Sequence, residues 1–286
     1  MDRGPEMTVC DVVLAVEDPD GEIRLRIYHP GSPGEVLPTL CYFHGGGFIM
    51  GSLDGVDSLC RTLAASAHCV AVSVDYRLSP EYPYPTPALD CAAAVQWVVN
   101  HIGRFGGDPA VVALGGDSAG ATLALSVAIR NLGSPSALAA LVLAYPAVDV
   151  SFSAPSWRIY ADAPLITVDD AKWTWSLYLR NEADWVDPLA VPNMAPDLSR
   201  LPDTFILTAE VDVLRDDAEA FAGRLAGEGV ITTARRYAGV YHGFFTEIGV
   251  FQATVKAVGD AAAFLRNVFH GAARVDGNHP NVTVER

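Results

Sequence analysis

Gly116-Asp117-Ser118-Ala119-Gly120 sets a serine between two glycines, just after an apolar run at 111–114 and at the head of an alanine-rich stretch. A serine on a sharp strand-to-helix turn presents its hydroxyl for attack on an acyl carbon, and flanking glycines relieve the crowding that such a turn creates. The bare pattern arises by chance in about one chain in ten of this composition, so its place between strand and helix carries the argument. Without that place it reads as a glycine-eased connection with a capping serine. His44-Gly45-Gly46-Gly47 follows a second apolar run, at 39–43. Its glycines leave backbone N–H groups uncovered, and such a loop can aim donors at the oxygen that turns negative when an acyl carbon becomes tetrahedral. The N–H of Ala119, at a helix start, can add another.

A serine hydroxyl is a weak nucleophile until a base removes its proton, and a base with a pKa near 7 does so best. Of seven histidines, His29, His68, His101, His270 and His279 lie before turns, at helix ends or in the tail, where solvated or capping roles suffice. His44 is expected to fix its own loop by hydrogen bonding. His242, in Tyr241-His242-Gly243-Phe244, follows an alternating stretch at 230–237 and precedes the last helical pattern. A carboxylate to orient it should follow another strand, and Glu210-Val211-Asp212 comes directly after the apolar run 205–208. Asp212 is preferred because it lies farther into the loop, although it also suits the cap of a helix starting near Leu214.

These residues need a scaffold. Residues 9–16 and 22–28 flank the turn-like Asp18-Pro19-Asp20-Gly21, which predicts an antiparallel pair. Beyond it, apolar runs at 39–43, 69–75, 111–114, 141–145 and 205–208 alternate with helical patterns at about 57–67, 87–101, 118–131, 214–227 and 250–269. Strand then helix, repeated, predicts a mostly parallel sheet with helices on both faces, and ligands then bind beyond the carboxyl ends of the strands. The stretch 150–202 breaks this rhythm with prolines, the aromatics Trp157, Tyr160, Trp173, Trp175, Tyr178 and Trp185, and one helix at about 168–180. An insertion of that length is read as a lid. Residues 272–286 are polar and are expected to form a loose tail.

Composition bounds the rest. With 286 residues, half of them apolar and 19% charged, the chain is a globular protein, expected to be one domain. A net charge of −15 repels phosphate backbones and anionic headgroups, so nucleic acid is not expected as a partner, and with no apolar run approaching ~18 residues neither is membrane insertion. Five cysteines without C-x-x-C spacing read as reduced thiols of a cytoplasmic protein. Met1 to Glu6 show neither a basic stretch nor an apolar run, so export is not expected, and the sequon at Asn281 means little without secretion. No H-E-x-x-H motif or Cys/His ligand cluster occurs, so neither metal nor cofactor is expected.

The order serine, acid, histidine is that of α/β-hydrolases, and four blocks together resemble the hormone-sensitive-lipase-like carboxylesterases of that fold. They are His44 to Phe48, Asp75-Tyr76-Arg77-Leu78-Ser79-Pro80-Glu81, Gly116 to Gly120, and Asp212 with Leu214-Arg215-Asp216 followed by His242-Gly243-Phe244. The likeness spans about 38–270. It implies Ser118 as nucleophile, His242 as base, Asp212 as orienting acid, and the N–H groups of Gly46, Gly47 and Ala119 as oxyanion donors. It also implies a structural ionic network holding Arg77 and Glu81, and a structural element at Asp187-Pro188-Leu189. Val213 departs from the family's usual proline. Only 43 residues precede His44, fewer than the family's usual N-terminal arm, so the lid is expected to be reduced, with an open acyl site or a second subunit of a homo-oligomer filling the gap.

The expected function is hydrolysis of small carboxylic esters, with short acyl chains favoured. The rivals are an amidase or deacetylase on the same residues, and a small-molecule receptor on the same fold, which the presence of His242 disfavours.

Overall fold

The computed structural model describes residues 4–132 and 138–272. The expected tail beyond residue 272, with His279 and the sequon at Asn281, lies outside them. Eight strands form one sheet: β1 (Thr8–Glu17), β2 (Asp20–His29), β3 (Leu37–Phe43), β4 (Val70–Asp75), β5 (Gly107–Asp117), β6 (Ala140–Ala144), β7 (Asp203–Val211) and β8 (Thr232–Tyr241). Their spatial order is β1-β2-β4-β3-β5-β6-β7-β8. The first two pairings, β1 with β2 and β2 with β4, are antiparallel; every later one is parallel.

Seven helices accompany them among the described residues: α1 (Asp57–Ala67), α2 (Thr86–His101), α3 (Ala119–Arg130), α4 (Pro155–Ile159), α5 (Val168–Tyr178), α6 (Arg215–Gly227) and α7 (Gln252–Ala272). Central strands covered on both faces must be apolar throughout, and β6, Ala140-Leu141-Val142-Leu143-Ala144, is buried at every position. Successive residues of β3 serve opposite faces: Cys41 and Phe43 join the core under α2, α3 and α6, while Leu40 and Tyr42 join the core under α1 and α7.

Two strands run farther than their apolar runs suggested. β5 reaches Asp117 and β8 reaches Tyr241, because parallel pairing with β6 and β7 continues through residues whose side chains are not aliphatic. His44, Ser118, Asp212 and His242 are therefore each the first residue beyond a strand. As β3, β5, β7 and β8 point the same way, all four leave the sheet at one edge.

The stretch between β6 and β7 holds α5, as expected, and also the five-residue α4, too short to leave a periodic signal. A reciprocal capping box starts α5: the Asp170 N–H donates to Thr167 Oγ1 (3.1 Å) and the Thr167 N–H to the Asp170 carboxylate (3.0 Å). The ionic network differs from expectation. Arg77 pairs with Asp90, fully buried on α2, through contacts of 2.6 and 2.9 Å, whereas Glu81 sits exposed in the turn after Pro80. Asp187 accepts the Tyr84 hydroxyl (2.8 Å) and the Leu189 N–H (2.9 Å), tying the insertion to the body.

Candidate active site

The turn from β5 into α3 forces Ser118 to φ 53° and ψ −122°, a backbone setting that a non-glycine residue holds only where its surroundings impose it. The imposition is visible. A Cβ on Gly116 would lie 2.4 Å from the carbonyl carbon of Gly120, and one on Gly120 would lie 2.0 Å from the Phe43 carbonyl oxygen. The Ser118 N–H donates to the Ala144 carbonyl on β6 (2.8 Å).

Ser118 Oγ lies 2.9 Å from His242 Nε2, and His242 Nδ1 lies 2.7 Å from Asp212 Oδ2. An ionised carboxylate can only accept, so Nδ1 carries the proton toward Asp212 and Nε2 is left to accept from the serine hydroxyl. Asp212 is fully buried, and its other oxygen accepts the Leu214 N–H (2.9 Å). Its two oxygens thus serve the imidazole and the turn that leads into α6, whose N-cap position, Leu214, takes no side-chain cap. Glu210 is turned elsewhere and accepts the Gly239 N–H (2.7 Å). The Tyr145 ring, on a residue at φ 36°, flanks the imidazole at 4.5 Å between centroids.

The glycine loop stands against the serine turn through Asp117. Its Oδ1 accepts both the Gly45 N–H (3.0 Å) and the Tyr42 hydroxyl (2.9 Å). Burial pushes this carboxyl up to about 6, against those two hydrogen bonds, which favour the ionised form. Gly46 adopts φ 114°, with its carbonyl accepting from the N–H groups of Ile49 and Met50. The N–H groups of Gly46, Gly47 and Ala119 make no hydrogen bond among the described residues; that of Ala119 is one of the unpaired donors that open any helix. His44 donates from Nδ1 to the Gly45 carbonyl (2.8 Å) and stacks on Tyr76 at 4.3 Å, and its burial lowers its pKa, so it stays neutral.

The remaining histidines make local contacts. His29 accepts the Gly31 N–H, His68 ends α1 and meets Glu35, and His101 donates to the Trp97 carbonyl. His270 lies in the last turn of α7.

The insertion between β6 and β7 reaches three of the four loops that follow β3, β5, β7 and β8. Ser156 of α4 donates to the Val213 carbonyl (2.7 Å) and Trp157 to the Asp217 carboxylate (2.6 Å), next to the Asp212 loop. A Cβ on Gly243 would lie 2.4 Å from Leu165, and one on Gly47 would lie 2.7 Å from the Thr174 methyl of α5. Sequence reasoning missed Tyr42, Tyr145, Leu165 and Thr174. Only Tyr42 left a signal, since a tyrosine inside a buried strand needs a partner for its hydroxyl. Among the described residues no group of three His, Cys, Asp or Glu side chains is arranged to hold a metal ion, and no helix is long and apolar enough to cross a membrane.

Comparisons with known proteins agree with this architecture. The family described as alpha/beta hydrolase fold matches residues 40–246. The esterase LipI of Mycobacterium tuberculosis is 40% identical over 273 residues, covering 93% of this chain and 84% of that one. The carboxylesterase NlhH of the same organism is 38% identical, covering 87% of this chain and 79% of its own. Among solved structures, a hyperthermophilic esterase from the archaeon Pyrobaculum calidifontis superposes with a TM-score of 0.88 at 37% identity, over 92% of this chain and 87% of that one.

Proposed function

The chain belongs to the hormone-sensitive-lipase-like branch of the α/β-hydrolase-fold family, and from that premise we propose that it hydrolyses carboxylic esters through an acyl-enzyme on Ser118. The observation that supports this most directly is the unbroken chain from Ser118 Oγ through His242 to Asp212, at 2.9 and 2.7 Å. His242 takes the hydroxyl proton as the serine oxygen attacks the ester carbonyl, then returns it to the leaving alcohol. Asp212 holds the imidazole in the tautomer this requires and stabilises the imidazolium. Water, activated by the same imidazole, then attacks the acyl-enzyme and releases the acid. The N–H groups of Gly46, Gly47 and Ala119 receive the oxyanion; each such donor typically contributes on the order of 3 kcal/mol to the transition state.

The substrate is a small ester with a short acyl chain, because Leu165 and Thr174 bring the 150–202 segment directly against the loops that hold the reacting groups. That segment acts as the cap of a single domain. We assign the protein to the cytoplasm, since all five cysteines are free thiols.

Ser118→Ala should lower turnover of p-nitrophenyl acetate by at least about a thousandfold. Wild-type protein should lose its activity on labelling with one equivalent of an organophosphate, and the variant should not be labelled. Retained turnover in the purified variant removes Ser118 from the mechanism.

A further inference from the structure

Phe48 directly follows the two glycines whose amides are assigned to the oxyanion, and its own backbone is left-handed, at φ 66°. A phenylalanine adopts that setting only under constraint, and a rotation there would swing the preceding peptide groups. The constraint comes from α5. The Phe48 ring lies face to face with Tyr178, with centroids 3.8 Å apart and planes 6° from parallel, and Trp175 closes on it at 5.2 Å. Both rings of the stack are buried. Tyr178 is itself held from behind: Tyr84 meets it edge-on at 5.7 Å, and the Tyr84 N–H donates to the Tyr178 carbonyl (2.9 Å). The Phe48 carbonyl accepts from the Ser79 N–H (2.8 Å), and one turn earlier on α5 Thr174 packs on Gly47.

We propose that this end of α5 is a fixed brace for the glycine loop, and that Tyr178 is a positioning residue which sets where the Gly46 and Gly47 amides stand by clamping the Phe48 ring. The assignment rests on the reading that those amides receive the oxyanion. The Tyr178 hydroxyl is buried without a hydrogen-bond partner among the described residues, so its ring does the positioning and its oxygen contributes nothing.

The test compares Tyr178→Leu, Tyr178→Phe, Phe48→Leu and the double leucine variant of the full chain with a core control on the opposite face of the sheet, Leu265→Ala. For each, kcat and KM for p-nitrophenyl acetate, inhibition by a trifluoromethyl ketone that forms a tetrahedral adduct with the serine, and Tm are measured. Tyr178→Leu should lower kcat about tenfold or more, leave KM within about threefold and weaken the ketone by a factor similar to the loss in kcat/KM. Phe48→Leu should do the same, the pair should lose no more than either alone, and Tyr178→Phe should match wild type. Should Tyr178→Leu fail to fold, Phe48→Leu decides by the same readouts. The proposal is overturned if the folded variant keeps kcat within twofold of wild type, or if Leu265→Ala, at an equal loss of Tm, loses kcat to the same extent. A wild type that does not hydrolyse the ester at all refutes the oxyanion reading itself, which is a separate failure.

Discussion

Asp117 occupies the variable position of the serine motif, yet it joins the serine turn to the glycine loop while carrying a buried carboxyl raised from 3.8 to about 6. The folded state therefore binds its proton more tightly than the unfolded chain does. Stability from this group is present below about pH 4 and declines as pH rises toward 6, leaving the folded state poorer by on the order of 3 kcal/mol at neutral pH. Asp117→Asn keeps an acceptor oxygen for Tyr42 and Gly45 and removes the titration. Its Tm relative to wild type should climb between pH 4 and pH 7; a difference that stays flat across that window contradicts the assignment. At this scale the sequence was informative wherever residue type is scarce and chemically restricted. Ser118, His242 and Asp212 stood out by type and place, and the structure brings them into contact. Tyr145 did not, and Tyr178 stood out only as one aromatic of the insertion, because a positive φ and a ring stack are properties of the assembled chain.

Among the elements, α4 gives the least sequence signal and makes one of the tightest attachments. It is anchored to the start of α6 by Ser156, Trp157 and, just past its end, the Tyr160 hydroxyl, which accepts from Arg215 (3.0 Å). Asp217 is half-buried, and burial pushes its carboxyl up to about 6 even though the Trp157 indole N–H favours the ionised form. Trp157→Phe deletes that donor, so the carboxylate's loss is felt where it is charged. We expect a cost of about 1–3 kcal/mol above pH 7 and a smaller one below pH 5, read as Tm at the two pH values. An equal cost at both would assign the loss to packing alone. The strands were legible because a parallel sheet covered on both faces demands apolar runs. Their ends were not, since the last residues of β5 and β8 are held by pairing and not by apolar character. For the same reason the partner of Arg77 went to Asp90, which the inner face of α2 buries, and not to the nearby Glu81.

Across the whole molecule, 34 acidic against 19 basic residues would not repel the small uncharged esters proposed as substrates, as they would a polyanion. The alternation of strand and helix made the architecture readable from one chain. The role of the insertion was harder to read, because aromatic content indicates that something is covered but not which loops are gripped. An enzyme whose cover must swing before each turnover feels the friction of its solvent, and its kcat falls as sucrose thickens the medium. With Tyr178 stacked flat on Phe48, opening at that end would separate two buried rings. The kcat for p-nitrophenyl acetate should therefore hold steady through a threefold rise in viscosity, with temperature and pH fixed, and a proportional fall would mean that the cover moves after all. A cover that stays in place, as proposed, would select esters by their shape and not by waiting time.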